Sequence, residues 1–406
     1  DDVELKDDNF WAQNRHDSLT VAEKHVFNMI NDVKKIPIVK NYIDIIDMII
    51  SGYYKIGDIA LGPYIFTYAN NNVEGNRIRL GFQTNPSFSN RVILGGFAAY
   101  GTKDNTLKYG ASADYILSRK PWTQAGVSYS PDLNQVALLS DSYNYSRNIL
   151  FTAFSRFGAI TNRRVFMQDM TNLYIQRDIF KNFTQKLTLS HWTFNLLYHF
   201  QYYDLVDGQI HGDFSTTELQ VESKWSPGVH VLQSPKRNKP LTVKGEYSNP
   251  VLTFRYTHGF RGVLESDLTY DKFSLNVMQT VRMGILGRGN YSITAGYIPS
   301  TVPYPILENH LGNGLFLYNK NAFNMMRFFE FVSDRYIALQ YAQYFEGLLL
   351  NSLPLIRNFK WRLVGTANVL YGDISRGNID LIPNNSVNNS VLSSRGLSST
   401  PYVELG

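Results

Sequence analysis

The chain has 406 residues, among them 27 Tyr, 25 Phe, 5 Trp and 29 Gly, and it has no cysteine. That excludes a disulfide framework, a thiolate zinc site and a thiol nucleophile. Aromatics at 14% exclude disorder, and a net charge of +5 spread along the chain leaves no footprint for nucleic acid.

No charge-free apolar run approaches the roughly 18 residues that cross a bilayer as a helix. Residues 43–50 come closest and carry Asp44 and Asp47. A transmembrane β-barrel stays open, because its strands alternate and its mean hydropathy resembles that of a water-soluble protein. Few charges (18%) with many Tyr and Gly suit such a wall.

Residues 1–16 are polar and read as a linker. Thr20 and Glu23 form a capping box, and Ala22, Val26, Met29, Ile30 and Val33 recur at helical spacing until Pro37. A second helix over 39–50 places Tyr42, Ile45, Ile46 and Ile49 on one face and closes at Gly52. Residues 17–52 are therefore expected to be a periplasmic helical pair packed on a partner element. The polar faces lack the Lys/Arg enrichment of helices that lie in a membrane interface.

After Gly52 the apolar period changes to two. Ile78, Leu80 and Phe82 alternate with Arg77 and Arg79, and Leu107, Tyr109, Ala111 and Tyr115 alternate with Lys108 and Asp114. Leu219, Val221 and Trp225 alternate with Glu218, Glu222 and Lys224. Strands are expected near 58–69, 75–85, 91–101, 106–118, 121–130, 166–178, 183–197, 214–226, 250–259, 266–280, 286–298, 334–346 and 359–371, with a fourteenth opening at 401. Many are twice the usual globular length and close to a tilted membrane crossing. Tyr64, Tyr68, Tyr100, Trp122, Tyr129, Trp225 and Tyr371 sit near strand ends, where an aromatic girdle would lie. If the first strand runs outward, the longest gaps (131–165, 299–333 and 372–400) fall on the external side and the short turns on the other, with 227–249 the exception. The expectation is an all-β transmembrane antiparallel barrel over 53–406, preceded by two short helices. It needs an even strand number, about 16 when complete, with its last strands beyond Gly406.

Several separated segments resemble one family. They are Glu74-Gly75-Asn76-Arg77-Ile78-Arg79-Leu80-Gly81, Tyr100-Gly101-Thr102-Lys103-Asp104 with Lys108-Tyr109, Pro303-Tyr304-Pro305 with Gly312-Asn313, Phe323-Asn324-Met325-Met326, the run Glu330 to Tyr336, and Pro354-Leu355 before Arg362. The chain is similar over most of 10–406 to an uncharacterised group of Bacteroidota outer-membrane proteins. In that group a carboxypeptidase-regulatory-like β-sandwich precedes a barrel like the surface-antigen barrels of outer-membrane assembly proteins. The resemblance implies a bacterial outer-membrane location and no defined reaction.

Chemistry finds little support in the residues. There is no G-x-S-x-G elbow, and Ser190 and His191, adjacent on a strand, point to opposite faces. His199, Asp204, Asp207, His211 and Asp213 cluster in one loop without the spaced pattern of a calcium loop. Gly284 to Gly289 lacks the helix and the Lys of a phosphate loop and reads as turn glycines. No catalytic residue, metal ligand or cofactor is expected. Lumen-facing charges are expected at Arg77, Arg79, Lys108, Asp114, Glu218, Glu222, Lys224, Arg255 and Arg362, paired in a network or lining a mildly anion-preferring channel. The loop 299–333 is too apolar to splay in water. It is expected to plug the barrel mouth through Pro303, Tyr304, Pro305, Phe323, Met326, Phe329 and Arg335, with a helix over 321–331 and with Arg327 and Arg335 meeting Glu218 or Glu222. The tract 384–391 reads as a mobile loop tip. The function expected is a non-enzymatic component of an outer-membrane assembly or export machine, the alternative being a gated transport channel. Expected partners are outer-membrane lipids, lipopolysaccharide and other envelope proteins such as a barrel-assembly machinery.

Overall fold

The computed structural model describes residues 51–138, 149–159, 164–198, 200–204, 206, 208–229, 231–232, 238–242, 248–315, 318–348, 350, 358–359, 361–381, 394–397 and 400–406, with positions 20, 23, 25, 26, 29, 32, 36, 42, 45 and 48. The linker 1–16, the tract 384–391, His199 and Asp207 lie outside the described residues. Described positions between 23 and 32 and between 42 and 51 are helical. The capping box is made as its sequence implies: Thr20 N–H donates to Glu23 Oε2 at 2.9 Å, and Glu23 N–H to Thr20 Oγ1 at 3.3 Å.

From Tyr54 onward the chain builds one antiparallel sheet of 16 strands. Its members are β1 (Tyr54–Ile56), β2 (Ile59–Leu61), β3 (Tyr68–Asn71), β4 (Gly75–Thr84), β5 (Val92–Gly101), β6 (Leu107–Arg119), β7 (Trp122–Gln135), β8 (Val165–Phe180) and β9 (Phe183–Leu196). After the ladder of β10 (Tyr202–Tyr203) and β11 (Ile210–His211) comes β12 (Phe214–Trp225), and after that of β13 (Val231–Leu232) and β14 (Leu241–Thr242) come β15 (Val251–Gly259), β16 (Tyr270–Arg282) and β17 (Arg288–Tyr297). A third ladder, β18 (Glu308–Asn309) with β19 (Val332–Ser333), precedes β20 (Arg335–Tyr344), β21 (Val364–Asp373) and β22 (Tyr402–Leu405). Apart from β3, which pairs only with β4, and the three ladders, each strand pairs with its neighbour in sequence. Turns at 85–91, 120–121, 181–182 and 283–287 lie at one rim, the turn rim. The described parts of the connections 136–164, 298–334 and 374–401 lie at the other, the loop rim.

The alternation sorts the two faces. On β4, Ile78 and Leu80 are 55% and 72% exposed, while Arg77, one position away, is 1% exposed. Outward residues on other strands, such as Leu107, Leu173, Leu189, Leu275 and Ile337, are likewise exposed. A continuous apolar surface of this kind belongs in hydrocarbon rather than water, and the other face turns to a polar interior. The protein is a transmembrane antiparallel β-barrel.

Three local expectations need correction. The first expected strand is not continuous: a 3₁₀ turn over Tyr64–Phe66 separates β2 from β3, and β1 pairs back on β2. The 16 strands within this chain include three that come from this subdivision. Trp122 does not join the girdle; it is buried with Ile93 and Ile116, next to a bulge between Ile116 and Ser118 that resets the phase of β6. The stretch 321–331 is turns and bends with single β-bridges at Phe323 and Phe331, not a helix. The Asn324 side-chain amide donates to the carbonyls of Asn319 and Ala322, and its oxygen accepts from Asn319 N–H, so side chains take the backbone partners a helix would use.

Candidate functional site

The inward face of the strands lines cavities and carries the expected charges, so the interior is the candidate site. Beside β4–β7, Glu74 at the β3–β4 turn receives Arg77 Nη1 at 2.6 Å and Lys108 Nζ at 2.9 Å. Arg77 also holds Asp132, which takes Arg156 at 3.0 Å, and Lys108 also pairs with Asp104. Asn71 donates to Glu74 and accepts from its backbone N–H. Burial pushes the Glu74 carboxyl up, and Arg77, Lys108 and Asn71 more than reverse this, holding it below the usual carboxylate range. Arg79 stands apart, its guanidinium 4.2 Å from the Phe97 ring and 5.6 Å from Phe66.

Deeper in, Asp114 accepts from Tyr174 Oη at 2.6 Å and from Lys239 Nζ at 2.8 Å. Lys239 belongs to the connection 226–250, so that long turn-rim segment reaches an inward residue of β6. Glu222 pairs with Arg255, its direct cross-strand neighbour, and Glu218 accepts from Tyr270 Oη. Lys224 is half-buried on β12 opposite Thr253. Between these groups lies a cavity of about 380 Å³ lined by Ser190, Trp192, Glu218, Gln220, Lys272 and Pro305, among others. Ser190 faces this cavity, whereas His191 bonds Thr217 Oγ1 at 2.9 Å. They form no pair.

At the loop rim the interior turns apolar. Val302, Tyr304, Ile306, Leu307 and Val332 of the connection 298–334 pack with Phe166, Phe194, Phe214 and Tyr270 of the wall. Phe328 and Phe329 pack with Leu138 and Phe151 of another connection, and Phe323 and Met326 with Ala338, Leu370 and Leu397. Pro303 and Pro305 flank Tyr304, and Pro305 with Ile306 lines the cavity. The ladder β18–β19 ties the loop to itself, and Lys272 pairs with Glu308 at 3.5 Å. Burial, with Lys272 second, pushes the His310 imidazole down to about 3. A residue that the sequence reading missed clasps the loop: Glu404 on β22 accepts from Asn324 N–H and Met325 N–H, each at 2.9 Å. Its phase opposite Val403 and Leu405 was the available signal.

Three expected residues lie elsewhere. Arg335 is the first residue of β20 on the outward face and pairs with Asp373, directly opposite on β21. It cannot reach Glu218 or Glu222, because it shares the phase of outward Ile337. Arg327 is exposed, with its backbone N–H on Glu330. Arg362 precedes β21, which starts only at Val364, so it holds no inward strand position. In the loop with the candidate oxygen ligands, Asp204 pairs with Arg261 at 2.9 Å and accepts from Val206 N–H. Among the described residues no group of three or more His, Asp or Glu converges to hold a metal.

Residues 49–377 match the C-terminal domain of a family of unknown function, DUF5686. The chain belongs to that family. No curated protein matches it. Among solved structures it is similar to BamA from Haemophilus ducreyi lacking POTRA domains 1–3, at 9% identity over 74% of this chain and 56% of that one, with a TM-score of 0.42. It is also similar to CdiB from Acinetobacter baumannii, at 13% identity over 76% of this chain and 48% of that one, with a TM-score of 0.38. The chain spans about half the length of these two structures.

Proposed function

We propose that the protein is a non-enzymatic barrel of the bacterial outer membrane, working as a component of an assembly or export machine rather than as an open pore. One observation carries this reading: the chain's own connections occupy the interior from both rims, Lys239 reaching Asp114 and Tyr304 to Leu307 packing on the wall. A lumen filled in this way stiffens the wall and blocks steady conduction. The resemblance of Glu74 to Gly81 and of Glu330 to Tyr336 to outer-membrane proteins supports the location, and partners among envelope proteins follow from it. The helices before β1 are read as a periplasmic element that docks on such a partner. The inward charges and the loop 299–333 are read as the lumen network and the plug.

The test is conductance in planar bilayers, followed by co-purification from detergent-extracted membranes. The intact protein should show no steady large channel, and deletion of 305–328 should create one. Large steady channels in the intact protein would favour the gated transport channel and overturn the machine reading. Recovery of the barrel alone, without other envelope proteins, would count against the partner.

A further inference from the structure

We infer that the interior beside β4–β7 holds a binding site for a phosphate group, centred on Arg79. The ion pairs of that region join Arg77, Lys108 and Arg156 to Glu74, Asp104 and Asp132. Three cations and three carboxylates balance there, and Arg79 is a fourth cation outside the set. Phe97 and Phe66 attract its charge but accept none of its five N–H donors. Among the described residues no acceptor engages those donors.

Arg79 faces a cavity of about 210 Å³, whose lining also includes Gln83, Ser112, Ser128, Ser130 and Tyr53. Among the described residues the side chains of Gln83, Ser112 and Ser130 make no hydrogen bond to protein either. A guanidinium, hydroxyls and an amide thus surround one space with donors from different strands and with no carboxylate. A planar carboxylate offers two oxygens in one plane, whereas a phosphate offers three in a tetrahedral spread, which suits donors converging from several sides. The recess exists because the wall is thin here. A Cβ on Gly110 would lie 2.4 Å from the Phe97 ring, and one on Gly95 would lie 2.9 Å from Ser112 Oγ. Glycine at 110 leaves room for the Phe97 ring that backs the guanidinium, and glycine at 95 leaves room for the Ser112 hydroxyl.

The test uses the full chain in a phosphate-free maltoside detergent, with ³¹P line broadening of inorganic phosphate and of glycerol phosphate as the readout. Saturable broadening is expected, weakened about tenfold or more in Arg79→Gln and partly retained in Arg79→Lys. Heat-modifiable mobility in gels shows which variants fold. Should Arg79→Gln fail to fold, the double variant Ser112→Ala/Ser130→Ala decides, and it should bind several-fold more weakly. Competition by phosphatidate in mixed micelles would make the ligand a lipid head group, and its absence a soluble phosphate ester; both support the site. No saturable broadening in the native protein, or equal binding by the folded variants, would mean that water alone fills the recess, and the site would fall.

Discussion

At the loop rim the interior between β4 and β7 is filled by Glu74, Arg77, Lys108, Asp132 and Arg156, whereas from β8 round to β21 it is filled by Tyr304, Val332, Phe166, Phe194 and their neighbours. The first filling is built almost entirely from wall residues and adjoining turns. The second is brought in by one long connection. Ion pairs taken from water must stay complete, because one missing partner strands a buried charge. An apolar loop loses stability in proportion to what is trimmed, and it can leave as a unit. The comparison teaches that one barrel can have a side that is wired shut and a side that is stoppered.

The largest expected effect falls on the wired side. Arg77→Ala leaves Glu74 and Asp132 without their shared cation and should cost about 3–5 kcal/mol in urea unfolding. A loss under about 1 kcal/mol would make the network ornamental. Next comes the wall itself. Leu189→Arg should destabilise insertion by about 2–4 kcal/mol if the residue sits near the bilayer midplane, while Thr188→Arg, facing the cavity, should be tolerated. Equal outcomes at the two positions would overturn the assignment of faces. A smaller effect belongs to the stopper. Glu404→Gln keeps the shape of the clasp on Asn324 and Met325 but removes its charge, and should cost about 1–2 kcal/mol, read as a lower melting temperature with β-sheet signal retained.

A further effect is a dependence on pH. His310 contacts Ser333 and Tyr336 and has a folded pKa pushed far below its ordinary value of about 6.5, to about 3. Its contribution is therefore fully present above about 6.5 and is lost as pH falls from there towards about 3. Glu74, also held low, weakens the fold in the same direction. The His310 share is thus the difference between native protein and His310→Gln, melted at pH 7 and at pH 4.5. An identical acid sensitivity in both would remove His310 from the account.

The wall was legible because a period of two states directly which side chains meet lipid: the expected strands from 75–85 onward appear, most with ends shifted by a few residues, and only the first is broken. The expected break after residue 130 was premature, since Ser128, Ser130 and Asp132 keep their phase to Gln135. Following that phase would have exposed Asp132 as an inward acid. What stayed hidden depended on partners distant in sequence. Glu404 meets Asn324 across 80 residues, and nothing local to either names the other. Arg335 was misplaced because apolar content marks a loop as buried without saying where the loop ends and the wall begins. The helix over 321–331 was misread because Asn319 and Asn324 turn their amides on the backbone.

The aromatic stack at the loop rim has a thermal consequence. Phe166, Phe194 and Phe214 sit at strand ends with centroids 5.1 Å and 4.6 Å apart, inside the wall and against the connection 298–334. Apolar surface that faces lipid exchanges one hydrocarbon for another when the barrel loosens, so it adds little to the heat capacity of unfolding. The rim core instead hides its surface from water, and opening it must raise the heat capacity as in a water-soluble domain. The stopper should therefore grip less firmly in the cold, while the wall around it is indifferent.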